Sequence, residues 1–319
     1  MKRYIAIKLG EMILVMLAVS FIVHLALELN VGDVAVKVLG QFSTAAQRQA
    51  WLKENGYLDP FLVRYFRWLG HFVVGDWGQS VRFRTDVLGL IGPRLAATGI
   101  LAAATLLVTV PVALLLGIAA GVREGSLLDR GITVFSVLTT SIPEFASAVF
   151  LSAVFVFWLG LLPGASTMTS GFSLAELVLP VMVLSLYTAG YLARMTRSSM
   201  IEAMASPYVR TATMKGASLP RIVFRHALRN ALIAPVTVIM LQIPWLLSGV
   251  IVVEVFFAYK GFGTLLYEAA LNSDIYLIEA CAMVGVVVVV VTQLISDMLY
   301  TWLNPRISFR DVGRREGEA

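Results

Sequence analysis

Residues 198–230 read SSMIEAMASPYVRTATMKGASLPRIVFRHALRN. The stretch lies between two long apolar runs. It is too polar to cross a bilayer and too regularly patterned for a loop. The spacing predicts a helix over Pro207-Tyr208-Val209-Arg210-Thr211-Ala212-Thr213-Met214-Lys215. Gly216 follows, where a helix C-terminus accepts positive φ. Ser218 is placed to cap the next helix, with Pro220 in its first turn. The expectation is a helix–turn–helix lying on one membrane face, its turn over 216–220 projecting outward. Five Arg and one Lys lie between 197 and 229. A nucleic-acid-binding helix–turn–helix would carry such charge, but insertion between two spans argues against it. A basic inner loop obeying the positive-inside rule and a docking element for a cytoplasmic partner are the two readings kept.

The rest of the chain is built to match. Of its 319 residues 58% are hydrophobic and 14% charged, and the mean hydropathy is +0.82. Soluble domains are about 45–50% apolar and about 25% charged. A disordered chain, a soluble enzyme and a disulfide scaffold are excluded; the single Cys281 sits in an apolar run and reads as inert. The net charge of +5 fits the positive-inside bias better than a nucleic-acid partner.

Six runs reach the roughly 20 apolar residues that a spanning helix needs: about 10–29, 96–122, 132–162, 174–192, 231–257 and 280–303. The first resembles a signal peptide, but its apolar run is long and no small-x-small site follows, so it reads as an uncleaved span. With the N-terminus in the cytoplasm, 16 of the 25 Lys and Arg fall on the cytoplasmic side. Eight of the rest lie in the long segment after span one, which is largely exempt from the rule. Lys260 alone occupies a short outer loop. The expected arrangement is therefore multi-pass, with both termini cytoplasmic. The expected division is a tail and first span over 1–29, an extracytoplasmic segment over 30–95, a transmembrane core over 96–303 that includes the cytoplasmic segment 198–230, and a cytoplasmic tail over 304–319.

Pro111, Pro143, Pro235 and Pro244 interrupt spans two, three and five. In lipid, a carbonyl freed by proline needs an internal partner, so such helices pack together or line a cavity. Gly117 and Gly121 form a small-xxx-small pair suited to close helix contact. Glu144 follows the kink of span three, and Glu254 and Asp297 lie in apolar surroundings. Proton coupling is one use for such groups. No chain of them crosses the membrane, so Glu254 and Asp297 are expected near span ends, hydrated or paired.

Motifs spread over nearly the whole chain resemble one family: the permease subunits of binding-protein-dependent ABC importers, dipeptide/oligopeptide/nickel branch. Ala212 and Gly216 fill the last Ala and the Gly of its Glu-Ala-Ala-x-x-x-Gly pattern, with Arg210 and Thr211 in place of the Glu and first Ala. Tyr208-Val209-Arg210-Thr211-Ala212 and His226-Ala227-Leu228-Arg229-Asn230-Ala231-Leu232 match the branch. Also similar are Gly75-Asp76-Trp77-Gly78-Gln79-Ser80, Ser141-Ile142-Pro143-Glu144-Phe145, Glu254-Val255-Phe256-Phe257 and Asn304-Pro305-Arg306. Lys260 stands where the family usually has Pro, and the run around Asn272-Ser273-Asp274 departs from its Arg-Asp-Tyr-Pro.

The resemblance implies an all-α polytopic fold of six transmembrane helices with a cytoplasmic coupling helix–turn–helix between spans four and five, the type I ABC importer fold. It implies a transporter subunit of a bacterial inner membrane, not an enzyme, carrying a di- or oligopeptide; nickel or another small solute, and an ion-driven secondary transporter, are the alternatives. Implied partners are a second homologous permease, two cytoplasmic ATP-binding subunits, an extracytoplasmic solute-binding protein and the lipid bilayer, with no nucleic acid. ATP-Mg would sit on the ATPase subunits and no cofactor on this chain. No Gly-Lys dipeptide occurs, so a Walker A loop is absent from the sequence, and the three His are scattered. The expected coupling residues are Ala212, Lys215, Gly216, Ala217, Ser218 and Leu219, with Gly216 supplying the turn and Leu219 an apolar knob. The expected path residues are Pro143, Glu144, Pro244 and Glu254. Catalytic and metal-ligating residues are not expected.

Overall fold

A computed structural model describes residues 2–28, 31–169, 171–248 and 250–303. The side chain of Asp297 and the tail 304–319 lie outside the described residues. The helices, in order, are α1 (Lys2–Glu28), α2 (Val31–Leu39), α3 (Ala45–Glu54), α4 (Phe61–Val73), α5 (Val87–Val122), α6 (Leu127–Ser141) and α7 (Glu144–Trp158). They continue with α8 (Leu174–Ala205), α9 (Pro207–Met214), α10 (Leu219–Ala231), α11 (Ile233–Leu247), α12 (Ile251–Phe256), α13 (Phe262–Leu271) and α14 (Ile275–Leu303). Among the described residues the only extended pairing is an isolated bridge between Gln79 and Asp86.

Four helices are long and apolar enough to span a membrane: α1, α5, α8 and α14. Two further spans form if the bent pairs α6/α7 and α10/α11 each count as one. Several helices exceed the apolar windows that predict them: α5 begins at Val87, α14 at Ile275, and α8 runs on to Ala205. Polar residues such as Arg194, Arg197 and Ser198 end an apolar window without ending a helix. What ends α8 is Pro207, which drives Ser206 into extended backbone (φ −69°, ψ 151°).

The chain divides into two compact units. Unit 1 comprises Met1–Thr98 and Lys260–Val291. Its core joins Val87 and Ile91 to Phe262, Leu265, Ala269, Leu277 and Cys281. Asp274, fully buried, ties two loops of this unit. It accepts from Ser80 Oγ (2.6 Å) and from the backbone N–H groups of Arg82 (3.1 Å) and Leu277 (3.4 Å).

Unit 2 comprises Gly99–Tyr259 and Thr292–Ala319, and α8 is its centre: α6, α7, α10, α11 and α12 all pack on it. Small residues set the approach. A Cβ on Gly117 would meet the Thr196 side chain and stand 2.6 Å from the Ala193 carbonyl; one on Gly121 would stand 2.6 Å from Met200 Cβ. A Cβ on Gly190 would meet the Thr139 hydroxyl and stand 2.8 Å from the Ser136 carbonyl of α6. The small-xxx-small pair is thus a helix contact. Asp129 in the first turn of α6 locks the same pair of helices. Its carboxylate accepts Arg197 Nη2 at 2.8 Å, Arg197 Nε, and the Gly125 N–H at 2.9 Å.

The prolines act in three ways. Pro143 does not kink one helix; it separates two, with a bend of 103° between them. Ile142 before it is extended (φ −86°, ψ 125°), as a residue preceding proline prefers. Within the last turn of α6 two hydroxyls bond back to carbonyls one turn earlier, Thr140 Oγ1 to Ser136 O at 2.9 Å and Ser141 Oγ to Val137 O at 2.8 Å. Pro235 lies in the first turn of α11, where it cannot donate to Ala231 O, and the chain bends there by 49°. Pro111 does not interrupt span two as expected but lies inside the continuous α5; Pro244 and Pro180 also lie inside intact helices, and each frees the carbonyl four residues back. Ser296 Oγ, which bonds Thr292 O of its own helix at 2.8 Å, lies 3.3 Å from Met240 O and shares its donor with it, and Ser166 Oγ donates to Glu176 O. Two prolines therefore have two serines.

Two cycles test these contacts in the detergent-solubilised chain. Ser166→Ala is expected to lower unfolding free energy by about 2 kcal/mol, because a buried carbonyl loses its donor. In a Pro180→Ala background the helix can supply its own N–H, and the same substitution is expected to lose most of its effect; an undiminished loss there would contradict the pairing. Asp129→Ala is expected to destabilise by about 3 kcal/mol or more, and adding Arg197→Ala is expected to cost less than the two single losses summed.

Candidate functional site

The segment 207–231 is built on apolar residues of one face. Val209, Ala212, Ile222, Val223, Ala227 and Ala231 are buried against Met200 and Ala203 of α8. Ile118 and Val122 of α5 complete that core. Between α9 and α10 the chain closes a Schellman turn: Gly216 N–H bonds Thr213 O at 2.9 Å and Ala217 N–H bonds Ala212 O at 3.2 Å. Lys215 occupies the C-cap and Gly216 has φ +76°. Only a residue without Cβ adopts that angle at low cost.

The six expected coupling residues divide by position. Ala212 is buried and anchors the turn; Ala217 is half-buried. Lys215, Gly216, Ser218 and Leu219 are exposed. Ser218 stands at the N-cap position (φ −68°, ψ 151°), but its side chain makes no capping hydrogen bond. A cap side chain bonds the N–H of the second or third helical residue, and the second here is Pro220, which has none. Sequence reasoning misses Met214. It is 81% exposed beside Leu219 at 54% and Phe224 at 69%, so three apolar knobs stand among the exposed Arg210, Lys215, Arg221 and Arg225. The signal was available: Met214 falls off the apolar period marked by Val209 and Ala212.

The four expected path residues all lie in unit 2. Pro143 caps α7 and Glu144 opens it, half-buried. Pro244 lies in α11, and Glu254 in the six-residue α12. Helix α12 packs against both α7 and α8, so the two carboxylates belong to adjoining elements. Glu254 is fully buried, so of the two expected states, hydrated or paired, burial disfavours the first. Tyr259 N–H closes back onto Glu254 O at 2.8 Å. Burial first, and then the Glu254 charge, push the Tyr259 phenol up to about 12. Among the described residues no group of three or more His, Cys, Asp or Glu is arranged to hold a metal ion.

Comparison with known proteins identifies the assembly to which these features belong. A family model described as binding-protein-dependent transport system inner membrane component matches residues 113–309. The oligopeptide transport system permease protein AppB of Bacillus subtilis (strain 168) is 33% identical over 97% of this chain and 100% of its own length. A probable peptide ABC transporter permease protein of Sinorhizobium fredii is 32% identical over 96% of this chain and 99% of its own. A putative peptide transport system permease protein of Brucella abortus (strain 2308) is 32% identical over 95% and 98%. The chain belongs to this family. It is a multi-pass inner-membrane component of a transport system that works with a binding protein and an ATPase.

A Cβ at Gly216 would meet nothing within 4 Å, so the site tolerates added bulk. Gly216→Ala and Gly216→Asp are expected to insert and accumulate at wild-type levels, at a local cost of about 1–2 kcal/mol for left-handed backbone. Protease-resistant protein in the membrane fraction measures this; loss of the folded chain would show that the turn is structural.

Proposed function

We propose that this member of the family is one membrane half of a peptide importer, and that the turn over 212–219 is where the ATPase docks. The observation that carries the reading is the exposure of Met214 and Leu219 on the basic turn, with Phe224 exposed further along α10. Apolar knobs exposed in a cluster and rimmed by charge mark protein interaction sites. The basic side chains also put this face in the cytoplasm by the positive-inside rule, and with it both termini. The peptide cargo rests on the names of the three relatives, each similar over nearly the whole chain.

In this reading a second, homologous permease completes the pathway. Two cytoplasmic ATP-binding subunits hold ATP-Mg beneath it, and an extracytoplasmic binding protein delivers peptide from above. Closure of the ATPase pair draws the Gly216 turn inward, and the spans alternate between inward-open and outward-open states. The path runs past Pro143, Glu144, Pro244 and Glu254, where α7, α11 and α12 gather on α8. Glu144 and Glu254 give that region a negative character suited to the ammonium end of a peptide.

The test is uptake of labelled di- and oligopeptides by proteoliposomes holding the chain, its co-purified partners and the binding protein, with and without internal ATP. Peptide uptake is expected only with ATP. Gly216→Asp and Leu219→Asp are expected to reduce it at least tenfold with the complex still membrane-inserted. Uptake that ignores both substitutions would remove the docking role. ATP-dependent uptake of nickel but not peptide would change the cargo, and uptake by this chain alone on an ion gradient would overturn the reading.

A further inference from the structure

Unit 1 contains a cavity of about 190 Å³ that no step of the proposed transport cycle uses. Its walls come from α1, α4, the loops at 55–57 and 76–78, and the first turns of α14. At one wall His24 and Glu279 are hydrogen-bonded through His24 Nδ1 and Glu279 Oε1. Glu279 is 1% exposed and His24 8%. Their other heteroatoms, His24 Nε2 and Glu279 Oε2, are buried and have no hydrogen-bond partner among the described residues. Buried polar atoms are nearly always satisfied, so two adjacent exceptions in a cavity wall call for a ligand group or bound water.

The remaining lining defines the ligand's chemistry. Besides the His24–Glu279 pair, the charged and titratable side chains are Arg64, Arg67, His71 and Asp76. His71 Nδ1 bonds Asp76 Oδ2 at 2.9 Å, and Arg67 Nη2 bonds Asp59 Oδ2 at 2.7 Å, which leaves most of the five guanidinium donors of Arg67 for other uses. Burial pulls the Arg64 guanidinium below its ordinary value and the Glu279 charge pushes it back, so cation and carboxylate sense each other in this space. The other walls are the rings of Tyr57, Trp68, Trp77 and Tyr276. Two guanidiniums, two carboxylates and an aromatic box make a site for one positive and one negative charge on a short apolar frame.

The cavity is open on the side of Arg67, His71 and Asp76, whose side chains are half exposed, so its volume of about 190 Å³ holds the charged end of a small ligand while the rest can extend outward. The frame is also stiff. Ser20 Oγ and Tyr65 OH join α1 to α4 at 2.9 Å, and Phe72 stacks on Trp77 with centroids 4.8 Å apart. Gly78 has φ +77°, and a Cβ there would stand 3.1 Å from the Tyr276 ring.

We propose that this cavity binds a small zwitterion, an ammonium and an anionic group on one short frame. Glu279 and Asp76 take the cation, Arg64 and Arg67 take the anion, and the rings hold the apolar part. A free apolar amino acid and the ethanolamine headgroup of a phospholipid share this chemistry. The inference stands on unit 1 alone and does not depend on the cargo or direction of transport.

The experiment uses the full-length chain in nanodiscs of phosphatidylglycerol and measures leucine, N-acetyl-leucine and leucinamide by calorimetry, then repeats the leucine titration with phosphatidylethanolamine in the disc. Leucine is expected to bind, with each blocked analogue at least tenfold weaker. Glu279→Gln is expected to weaken leucine at least tenfold. Arg67→Ala, at a half-exposed side chain that a fold tolerates losing, is expected to weaken it at least threefold and serves if the Glu279 variant fails to fold. Loss of leucine binding when phosphatidylethanolamine is added supports the site and identifies the headgroup as its occupant. Undiminished leucine binding supports it with a soluble occupant. Equal binding of leucine and its blocked analogues overturns the proposal. So does the absence of leucine binding together with no retention of phosphatidylethanolamine over phosphatidylcholine on the purified chain.

Discussion

Inside a bilayer no water is available to a backbone carbonyl, and a proline in a helix frees one four residues before it. The architecture of unit 2 depends on how those carbonyls are satisfied. Ser166 bonds the Glu176 carbonyl opposite Pro180, and Ser296 bonds the Met240 carbonyl opposite Pro244. A distant hydroxyl is not a condition of continuity, since Pro111 lies inside the unbroken α5. At Pro180 and Pro244 a serine hydroxyl thus reaches the carbonyl that the proline frees. At Pro143 the chain leaves α6 through the extended Ile142, and a new helix starts at a bend of 103°. The broken helices in turn supply α7 and α12, the short elements that carry Glu144 and Glu254.

A second constraint fixes what those elements lean on. Helix α8 accepts α5 and α6 at distances that exclude any Cβ at Gly117, Gly121 and Gly190. In lipid, helix association relies on close packing more than on apolar burial, so these small residues supply association energy that bulkier ones could not. The Asp129–Arg197 pair adds direction to it. Its carboxylate takes two guanidinium donors and the Gly125 N–H at once, and a charge so fully coordinated specifies register as well as contact.

Much of this could be read from sequence, and the limits have physical causes. Apolar length marked all six spans, and the left-handed position at Gly216 followed from a helix needing a residue without Cβ at its end. Apolar length reports nothing about direction, so Pro143 read as a kink when the pair Ile142–Pro143 in fact parts two helices. Hydroxyl partners lie too far away in sequence to be paired by eye: Ser296 is 56 residues from Met240. Pro180 escaped notice because its surroundings stay helical. Glu279 sits one residue ahead of the apolar window that predicts the sixth span, and only the earlier start of α14 at Ile275 brings it into the helix and beside His24. Met214 lies off the apolar period that Val209 and Ala212 mark, so its exposure follows from helix spacing alone.

These constraints bear on how a docked ATPase could move the path. The turn over 212–219 does not hang from a flexible loop: its inner face is packed into one core with Met200 and Ala203 at the end of α8. The same helix is tied by Arg197 to α6 and carries α7, α11 and α12 along its length. Close-packed interiors transmit displacement because they have little free volume to absorb it. A push at Leu219 or Met214 therefore loads α8 as a rod, and α8 is the one element of unit 2 on which all the broken helices converge. Rigidity here is useful because the elements it drives are short: α7 and α12 end at prolines or turns, so they can tilt with α8 without breaking a continuous run of helix hydrogen bonds. The prolines that weaken the spans and the glycines that weld α8 to its neighbours are two halves of one arrangement, which confines motion to the pieces beside Glu144 and Glu254.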